Sequence, residues 1–410
     1  MSAFAIYLAW GFNKIFVPYF SVNGYNIDAT ILGLVLGLEG ITGMIVDPLS
    51  GIYTDKDIFH PASTKGRFIA IGLVVMSISI FILPFSQTLA EFILVLLVLY
   101  IAAHFIRPPY NSLMPEVVRR RDWGEASGFI NAFLALGSIT AFLVVGLLIS
   151  TSLIYAAFAA GTMILLIGLV TPATIRESPN RKKTFHRRRS IRNLLQTREI
   201  RTFFLMQLFW WASYESVATY LYYFVKNLNL SLTPGGSSLI YAAIAFAVFN
   251  VATVLSSIAI GKIYARTLNK KNLIGIGLVI FMLTELLGSF YQTSDSILLF
   301  LAVAGVGWAF ILTASYPLGA YLVKKFAGEN SPLGAFFGLN SFFGNLAIII
   351  GAFGTAAVLY LSNQDLEVMF PIALLCSFVA FVLLQRLKIT DEMNRELMEG
   401  TTPSAVPLME

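Results

Sequence analysis

Charged residues are scarce in this chain, since Asp, Glu, Lys and Arg make up only 12% of its 410 residues. Ordinary soluble proteins contain about 25% of these residues. Cysteine and histidine are scarcer still, with one cysteine (Cys376) and three histidines. A single cysteine excludes a disulfide framework, and so few cysteines and histidines form no recognisable set of metal ligands. We therefore expect a protein without disulfides, metal or other cofactor.

Apolar residues dominate instead, at 57% of the chain. They are grouped in runs of about 20 residues, the length that crosses a bilayer as a helix. Twelve such runs predict an all-α membrane protein with transmembrane spans at roughly 2–20, 30–52, 67–87, 89–110, 126–150, 152–174, 202–225, 237–262, 272–291, 296–323, 333–361 and 367–387.

The basic residues are distributed unevenly among the loops. Loops after odd-numbered spans hold one basic residue, Lys226, whereas those after even-numbered spans hold Lys56, Lys65 and a cluster at 176–201, among others. The excess of Lys and Arg in cytoplasmic loops predicts a multi-pass plasma-membrane protein with both termini in the cytoplasm. The net charge of +6 is then an orientation signal, and no nucleic-acid partner is expected.

The longest loop divides the chain into two groups of six spans. The groups are weakly similar, because Asn131 in the fifth span matches Asn340 in the eleventh, and Gly51 matches Gly261. Two related halves with a site between them are typical of alternating-access carriers. We predict six-helix halves at 1–174 and 202–387, a basic cytoplasmic loop at 175–201 and a cytoplasmic tail at 388–410. We expect a monomer surrounded by lipid.

Two motifs in the first half resemble a known family. D-P-L-S-G-I-Y-T-D-K (47–56), followed by K-G-R (65–67), is similar to the second-loop motif of the major facilitator superfamily. Its form is that of the glycoside–pentoside–hexuronide sugar:cation symporters and the sucrose:proton symporters, and R-P-P-Y-N-S-L-M-P-E (107–116) resembles the fourth-helix motif of the same group. The resemblance implies twelve helices in two pseudo-symmetric six-helix halves and cation-coupled sugar transport.

Two acids in the second span are candidates for binding the coupling ion. A carboxylate inside hydrocarbon costs roughly 2.5–3.5 kcal/mol on insertion, so Glu39 and Asp47 should face the bundle interior or a wet cavity. Melibiose-type relatives hold the coupling cation with carboxylates at matching positions. Because Gly43 stands between the two acids here, a sodium cage of several oxygens is disfavoured and protons are the predicted coupling ion. The alternative is a structural role bonded to Lys14 or Arg107.

The turn after the second span resembles the conformational latch of the superfamily. Such a turn needs a small residue for close helix approach, an acid to meet a helix N-terminus and basic residues to hold the cytoplasmic side closed. The residues at these places are Gly51, Asp55, Lys56, Gly66 and Arg67.

Polar and aromatic residues inside other spans predict a solute site. Trp210 and Tyr214 lie one turn apart beside Glu215, and aromatic faces next to a carboxylate suit sugars. Arg107 stands where melibiose-type carriers have an acid. This reversal weakens the sugar assignment and leaves room for an anionic solute such as a carboxylate or sugar acid. The predicted solute-contacting residues are Arg107, Asn111, Asn131, Trp210, Tyr214, Glu215 and Asn340.

These features predict a secondary active transporter that moves a small polar solute, a sugar or glycoside in symport with protons, by alternating access. A proton-driven exporter or a carrier of an organic anion is the alternative, because of Arg107. A polytopic enzyme or a sensor is disfavoured, since the outer loops are short and no nucleophile or metal motif is present.

Overall fold

The computed structural model describes residues 1–55, 64–149, 151–174, 194–227, 238–266, 270–290, 293–327 and 333–389. Within these ranges the chain forms twelve long helices. They are α1 (Ser2–Gly24), α2 (Ala29–Asp55), α3 (Thr64–Ile82), α4 (Leu89–Val117), α5 (Trp123–Thr140, continued by a π-helical turn at Ala141–Val145 and by Gly146–Ile149), α6 (Leu153–Thr174), α7 (Arg198–Ala218, followed by the short segment Leu221–Asn227), α8 (Ser238–Arg266), α9 (Lys270–Gly288), α10 (Ser294–Ala327), α11 (Leu333–Leu361) and α12 (Met369–Arg386).

Ten helices in the described part of the chain are long and apolar enough to cross a membrane. The other two are α1, which contains Asn13 and Lys14, and α7, which contains Gln207 and Glu215. Polar residues inside a membrane bundle are retained where they face a functional site or a polar partner. We therefore expect α1 and α7 to contribute residues to such a site. The all-helical, multi-pass architecture confirms the predicted fold class.

Neighbouring helices run in alternating directions, so α1 begins and α12 ends at the same face, which we call the terminal face. Described basic residues at helix ends gather there, and Lys226 lies at the opposite face. The positive-inside rule associates such a face with the cytoplasm, and cytoplasmic termini stay a prediction. The basic residues at the terminal face include Lys65, Arg67, Arg119, Arg120, Arg121, Arg198, Arg201, Arg266, Lys270, Lys271, Lys324, Lys325 and Arg386.

The two halves pack against each other mainly through α2 with α11 and α5 with α8. Glycines permit the close approach. A Cβ atom at Gly128 of α5 would lie 2.6 Å from the carbonyl oxygen of Ser257, and one at Gly37 of α2 would overlap the Phe353 ring of α11. Small residues at such crossings let helix backbones pack directly in membranes.

The contact of α1 with α5 gives a stability prediction at Gly137. A Cβ atom there would overlap the Phe4 carbonyl oxygen, which belongs to the α1 backbone and cannot move aside like a side chain. We expect Gly137→Ala to cost about 1–3 kcal/mol, typical of overpacking, and to lower the melting temperature of the purified protein. Gly354→Ala is the matched control, because nothing lies within 4 Å of its Cβ position. An equal effect of both substitutions would contradict this packing.

Candidate functional site

Two cavities meet at Arg107 in α4. The first has a volume of about 60 Å³ and is lined mainly by α1 and α4, with Glu39 of α2, Met76 of α3 and Trp211 of α7 completing the wall. The second has a volume of about 210 Å³ and reaches Val117 at the terminal end of α4. Tyr7 and Arg107 line both cavities. The other polar lining residues are Asn13, Glu39, Tyr100 and His104 in the first cavity and Tyr110, Asn111, Ser127 and Tyr316 in the second.

A buried ion pair joins the two halves beside these cavities. Lys14 Nζ of α1 lies 2.6 Å from Glu215 Oε2 of α7, and both side chains are 1% exposed. Thr219 donates a hydrogen bond of 3.3 Å to the same oxygen, and the Lys14 ammonium lies 5.3 Å from the centre of the Trp10 ring. Lys14 therefore pairs with Glu215 and not with an acid of α2, which was the structural alternative drawn from the sequence.

Glu39 faces the smaller cavity, which Arg107 and His104 also line. Asn13 Nδ2 donates to Glu39 Oε2 over 3.2 Å, and Tyr100 holds the Asn13 amide by donating to its Oδ1, also over 3.2 Å. Among the described residues no Lys or Arg pairs with Glu39. An acid held only by an amide at a cavity wall is placed to gain or lose a proton.

Asp47 lies deeper, in a network that crosses from α2 to α11. Asn345 Nδ2 donates to Asp47 Oδ2 over 2.6 Å, and His104 Nδ1 lies 3.3 Å from the same oxygen. Asn345 Oδ1 in turn accepts from Arg107 over 3.4 Å. The Asn345 side chain packs directly over Gly43, where a Cβ atom would overlap it. One amide from the second half thus links an acid and a base of the first.

Arg107 is partly exposed and lines both cavities. Its guanidinium carbon lies 5.7 Å from the centre of the Trp211 ring. No carboxylate forms a salt bridge with it in the part of the chain that the structure describes. Asn111 lies one turn further along α4 and lines the larger cavity. These two predicted solute residues are therefore brought together at one wall.

The aromatic residues predicted on α7 lie in a cluster with Trp308 of α10. The Tyr214 ring stacks 4.3 Å from that of Trp308, and Trp210 meets Trp308 edge to face at 5.1 Å. Tyr214 also stacks against Trp10 of α1 at 5.9 Å. Neither Trp210 nor Tyr214 lines the two cavities at Arg107. Trp210 stacks on Trp211, which does line the first cavity. Solute contact by Trp210 and Tyr214 stays a prediction.

The two matched asparagines do not line the cavities at Arg107. Asn131 is 1% exposed and donates to Ser127 Oγ (3.5 Å) and to Thr313 Oγ1 of α10 (3.4 Å), so it ties α5 to the second half. Asn340 is 3% exposed and lines neither of these cavities. Solute contact by this pair stays a prediction.

The predicted latch lies at the terminal face. Gly51 is in the last turns of α2 and Asp55 ends that helix, while Gly66 and Arg67 are in the first turn of α3. Gly66 is buried and Arg67 is exposed. Lys56 lies outside the described residues. A latch function for these residues stays a prediction.

Other basic residues make contacts at this face that the sequence did not indicate. Lys65 donates to Ser112 Oγ over 2.6 Å and so joins α3 to α4. Lys324 Nζ lies 4.9 Å from the centre of the Trp123 ring, which joins α10 to α5 across the two halves.

Contacts between the halves also close the opposite face. Tyr223 donates its hydroxyl to the carbonyl oxygen of Ile27, and Gln364 Nε2 donates to Thr30 Oγ1 over 2.8 Å. The larger cavity extends the other way, from Arg107 toward the terminal face. Described contacts between the halves are therefore present at both faces of the bundle.

The predicted set of site residues left out Asn13, Lys14, His104 and Asn345, and also the cavity tyrosines Tyr7, Tyr100, Tyr110 and Tyr316. A single Lys inside an apolar run was the available signal for Lys14, because an intramembrane charge needs a partner. The choice of that partner depends on tertiary packing.

Comparison with known proteins agrees with this architecture. A sequence model of the Major Facilitator Superfamily matches residues 1–352. A stretch of 158 residues is 25% identical to Multidrug resistance protein 1 of Bacillus subtilis (strain 168), and it spans 38% of this chain and 39% of that relative.

Solved transporter structures superimpose over nearly the whole chain. The human organic anion transporter MFSD10 gives a TM-score of 0.70 at 14% identity, over 94% of this chain and 97% of its own. The nucleoside transporter NupG gives 0.69 at 17% identity, over 95% and 98%. The fucose:proton symporter FucP of E. coli gives 0.69 at 16% identity, over 95% and 97%. At such identities the likeness shows the fold alone.

The family match covers most of the chain, and the twelve-helix bundle has the fold of these carriers. The protein is therefore a multi-pass membrane transporter of a small-molecule solute and not an enzyme. The chain belongs to the Major Facilitator Superfamily.

Proposed function

We propose that the chain is a proton-coupled secondary transporter of a small organic anion, such as a sugar acid. The observation that carries the proposal is Arg107, which lines both cavities and has no carboxylate partner among the described residues. A guanidinium that faces a cavity and forms no salt bridge favours a carboxylate, which it can bind through two parallel hydrogen bonds. Tyr7, Tyr110 and Asn111 supply hydroxyl and amide groups nearby for the rest of the solute.

Glu39 is the proposed proton carrier. It lines the same small cavity as Arg107, so its charge acts on any solute bound there. Ionised Glu39 would repel an anion, and protonation removes that repulsion. Proton and anion binding therefore favour each other, and this coupling is reciprocal. Release of the proton on the other side of the membrane would then weaken solute binding and allow unloading.

Protonation of Asp47 is proposed to weaken the contact between α2 and the second half, because Asp47 is hydrogen-bonded to Asn345 of α11. An ionised Asp47 accepts a strong hydrogen bond from the Asn345 amide, and protonation weakens that bond between α2 and α11. An N–H donor faces this carboxylate, whereas a sodium cage needs several converging oxygens. The arrangement therefore favours protons as the coupling ion.

Alternating access would proceed from the conformation described above. The halves are joined at the opposite face by Tyr223 and Gln364, and the larger cavity extends toward the terminal face. The halves are also joined at the terminal face, by Lys324 and Trp123. Rocking of the halves would break the contacts of one face at a time, so that the cavity is reached from each side of the membrane in turn.

A neutral sugar is the second candidate. The resemblance to the glycoside–pentoside–hexuronide symporters favours it, as does the likeness to FucP, a fucose:proton symporter. The likeness to MFSD10, an organic anion transporter, favours the anion. Both kinds of solute would use the hydroxyl and amide groups of the larger cavity, and they differ in their need for Arg107.

Transport into proteoliposomes under an imposed pH gradient tests the proposal. Matched pairs such as glucose and glucuronate, or galactose and galacturonate, differ mainly in one carboxylate. We expect gradient-driven accumulation of an acidic member of the panel. Glu39→Gln should abolish that accumulation while solute exchange continues, because glutamine imitates the protonated side chain permanently.

The control variant is Glu367→Gln, since Glu367 is exposed at the opposite face. It should transport as the wild type does. Accumulation of neutral sugars only would replace the anion proposal with sugar symport. Accumulation that ignores the pH gradient, or that survives in Glu39→Gln, would remove the proton mechanism.

A further inference from the structure

A second buried acid, Glu285 of α9, lies away from the central cavities. Ser213 of α7 donates its hydroxyl to Glu285 Oε1, and Ser377 of α12 donates to the same oxygen over 3.1 Å. Glu285 is only 6% exposed. Two serine hydroxyls from different helices thus fix one carboxyl oxygen and set the direction of the other.

The other oxygen, Glu285 Oε2, is buried and has no hydrogen-bond partner among the described residues. No described Lys or Arg forms a salt bridge with this carboxyl group. A buried polar atom without a partner is unfavourable whether the acid is neutral or charged. A ligand that brings a hydrogen-bond donor, and above all a positive one, would satisfy it.

Glu285 lines an apolar cavity of about 70 Å³ within the second half, which we call the Glu285 pocket. Thr284, another polar lining residue, already donates its hydroxyl to the Phe281 carbonyl oxygen over 2.8 Å. Six aromatic rings dominate the walls, those of Tyr214, Phe246, Phe249, Phe281, Phe300 and Phe370.

The chemistry of the walls decides the ligand class. A sugar would find too few polar partners, and an anion would meet a carboxyl group with no cation nearby. An ammonium group is favoured by the acid and also by the faces of aromatic rings. An apolar or aromatic group attached to it would pack against the phenylalanines.

We propose that the Glu285 pocket binds a small aromatic amine in its ammonium form. The ammonium donates to Glu285 Oε2, and the aromatic group lies among the phenylalanine rings. The pocket shares no lining residue with the two cavities at Arg107. It is therefore a second site, and it prefers a cation where the cavities at Arg107 prefer an anion. The proposal does not depend on the proposed transport of an anion.

Isothermal titration calorimetry on the purified full-length protein in detergent tests this site. The probe is phenethylamine, which is cationic at pH 7, and 2-phenylethanol is its neutral counterpart of similar size. We expect saturable binding of phenethylamine. Glu285→Gln keeps an oxygen for the two serines and removes the charge, so the affinity for phenethylamine should fall by about tenfold or more. Binding of 2-phenylethanol should change much less.

Two further variants locate the binding. Ala304 lines the pocket, so Ala304→Leu fills part of it without touching the acid and should abolish binding of both probes. Arg107→Gln alters only the central cavities and should leave phenethylamine affinity unchanged, whatever its effect on transport. Thermal unfolding of each variant separates loss of the pocket from loss of the fold. Absence of saturable binding, equal affinity in Glu285→Gln, or full binding in Ala304→Leu would each overturn the proposal.

Discussion

Substitution of Glu215 by glutamine is expected to destabilise the protein severely and to abolish transport. The change leaves the Lys14 ammonium buried, 1% exposed, and without a counter-ion at 2.6 Å. Removing one member of a buried ion pair typically costs about 3–5 kcal/mol. The pair also joins α1 of the first half to α7 of the second. The loss should therefore affect both the melting temperature and the relative position of the halves. The melting temperature of the purified protein and solute exchange in proteoliposomes are the two measurements.

A double-mutant cycle isolates the pair from its surroundings. Its two single variants are Lys14→Met, which strands the carboxylate, and Glu215→Leu, which strands the ammonium as Glu215→Gln does. Both should be severely destabilising. The double variant Lys14→Met with Glu215→Leu removes both charges and should regain most of the lost stability, since hydrophobic replacement of a buried pair is often neutral or stabilising. Transport need not return together with stability. The apolar contact in the double variant cannot replace an ion pair that forms and breaks as the two halves move. Simple additivity of the two single effects would contradict the interaction.

Hydropathy alone predicted the helices well, and tertiary contacts explain where it did not. The eleventh span was predicted at 333–361 and α11 covers Leu333–Leu361, because a long apolar run between polar ends leaves little choice. The seventh span was predicted as one helix at 202–225, but α7 is interrupted after Ala218. No Pro or Gly marks that point. The Tyr220 hydroxyl next to it bonds the Ala352 carbonyl oxygen of α11 over 2.5 Å, a contact that local sequence cannot reveal.

The sequence predicted several of the residues that belong to the candidate site, but it did not predict which of them contact one another. Glu39, Asp47, Arg107 and Glu215 were identified because each is a charged residue inside an apolar span. Such a residue costs free energy in the membrane and is therefore retained mainly where it has a function or a partner. Their arrangement depends on packing between halves. Lys14 and Glu215 are 201 positions apart, and helical spacing on α2 could not show that its two acids face different neighbours.

Substitution of Arg107 is expected to have an equally large effect on transport, but little effect on stability. Arg107 is partly exposed to the cavities and forms no salt bridge with the described residues. Its removal therefore breaks no direct ion pair and takes away one long hydrogen bond, of 3.4 Å, to Asn345 Oδ1. The melting temperature of Arg107→Gln should stay near that of the wild type, in contrast to Glu215→Gln. Residues kept for function at some cost in stability behave in this way.

Transport of an anionic solute by two variants, Arg107→Gln and Arg107→Lys, should separate the contribution of the positive charge from that of the planar guanidinium. Truncating one partner of a desolvated charge pair costs about 2–5 kcal/mol, a factor of about 30 or more in affinity. Arg107→Gln should raise the KM for glucuronate, or for the acidic solute that the panel identifies, by at least that factor. Arg107→Lys should be intermediate, because lysine keeps the charge but loses the planar pair of donors. Uptake of the matched neutral sugar should change little in either variant. If glutamine and lysine affect acidic and neutral solutes alike, Arg107 shapes the cavity rather than recognising a carboxylate, and the solute is the neutral sugar.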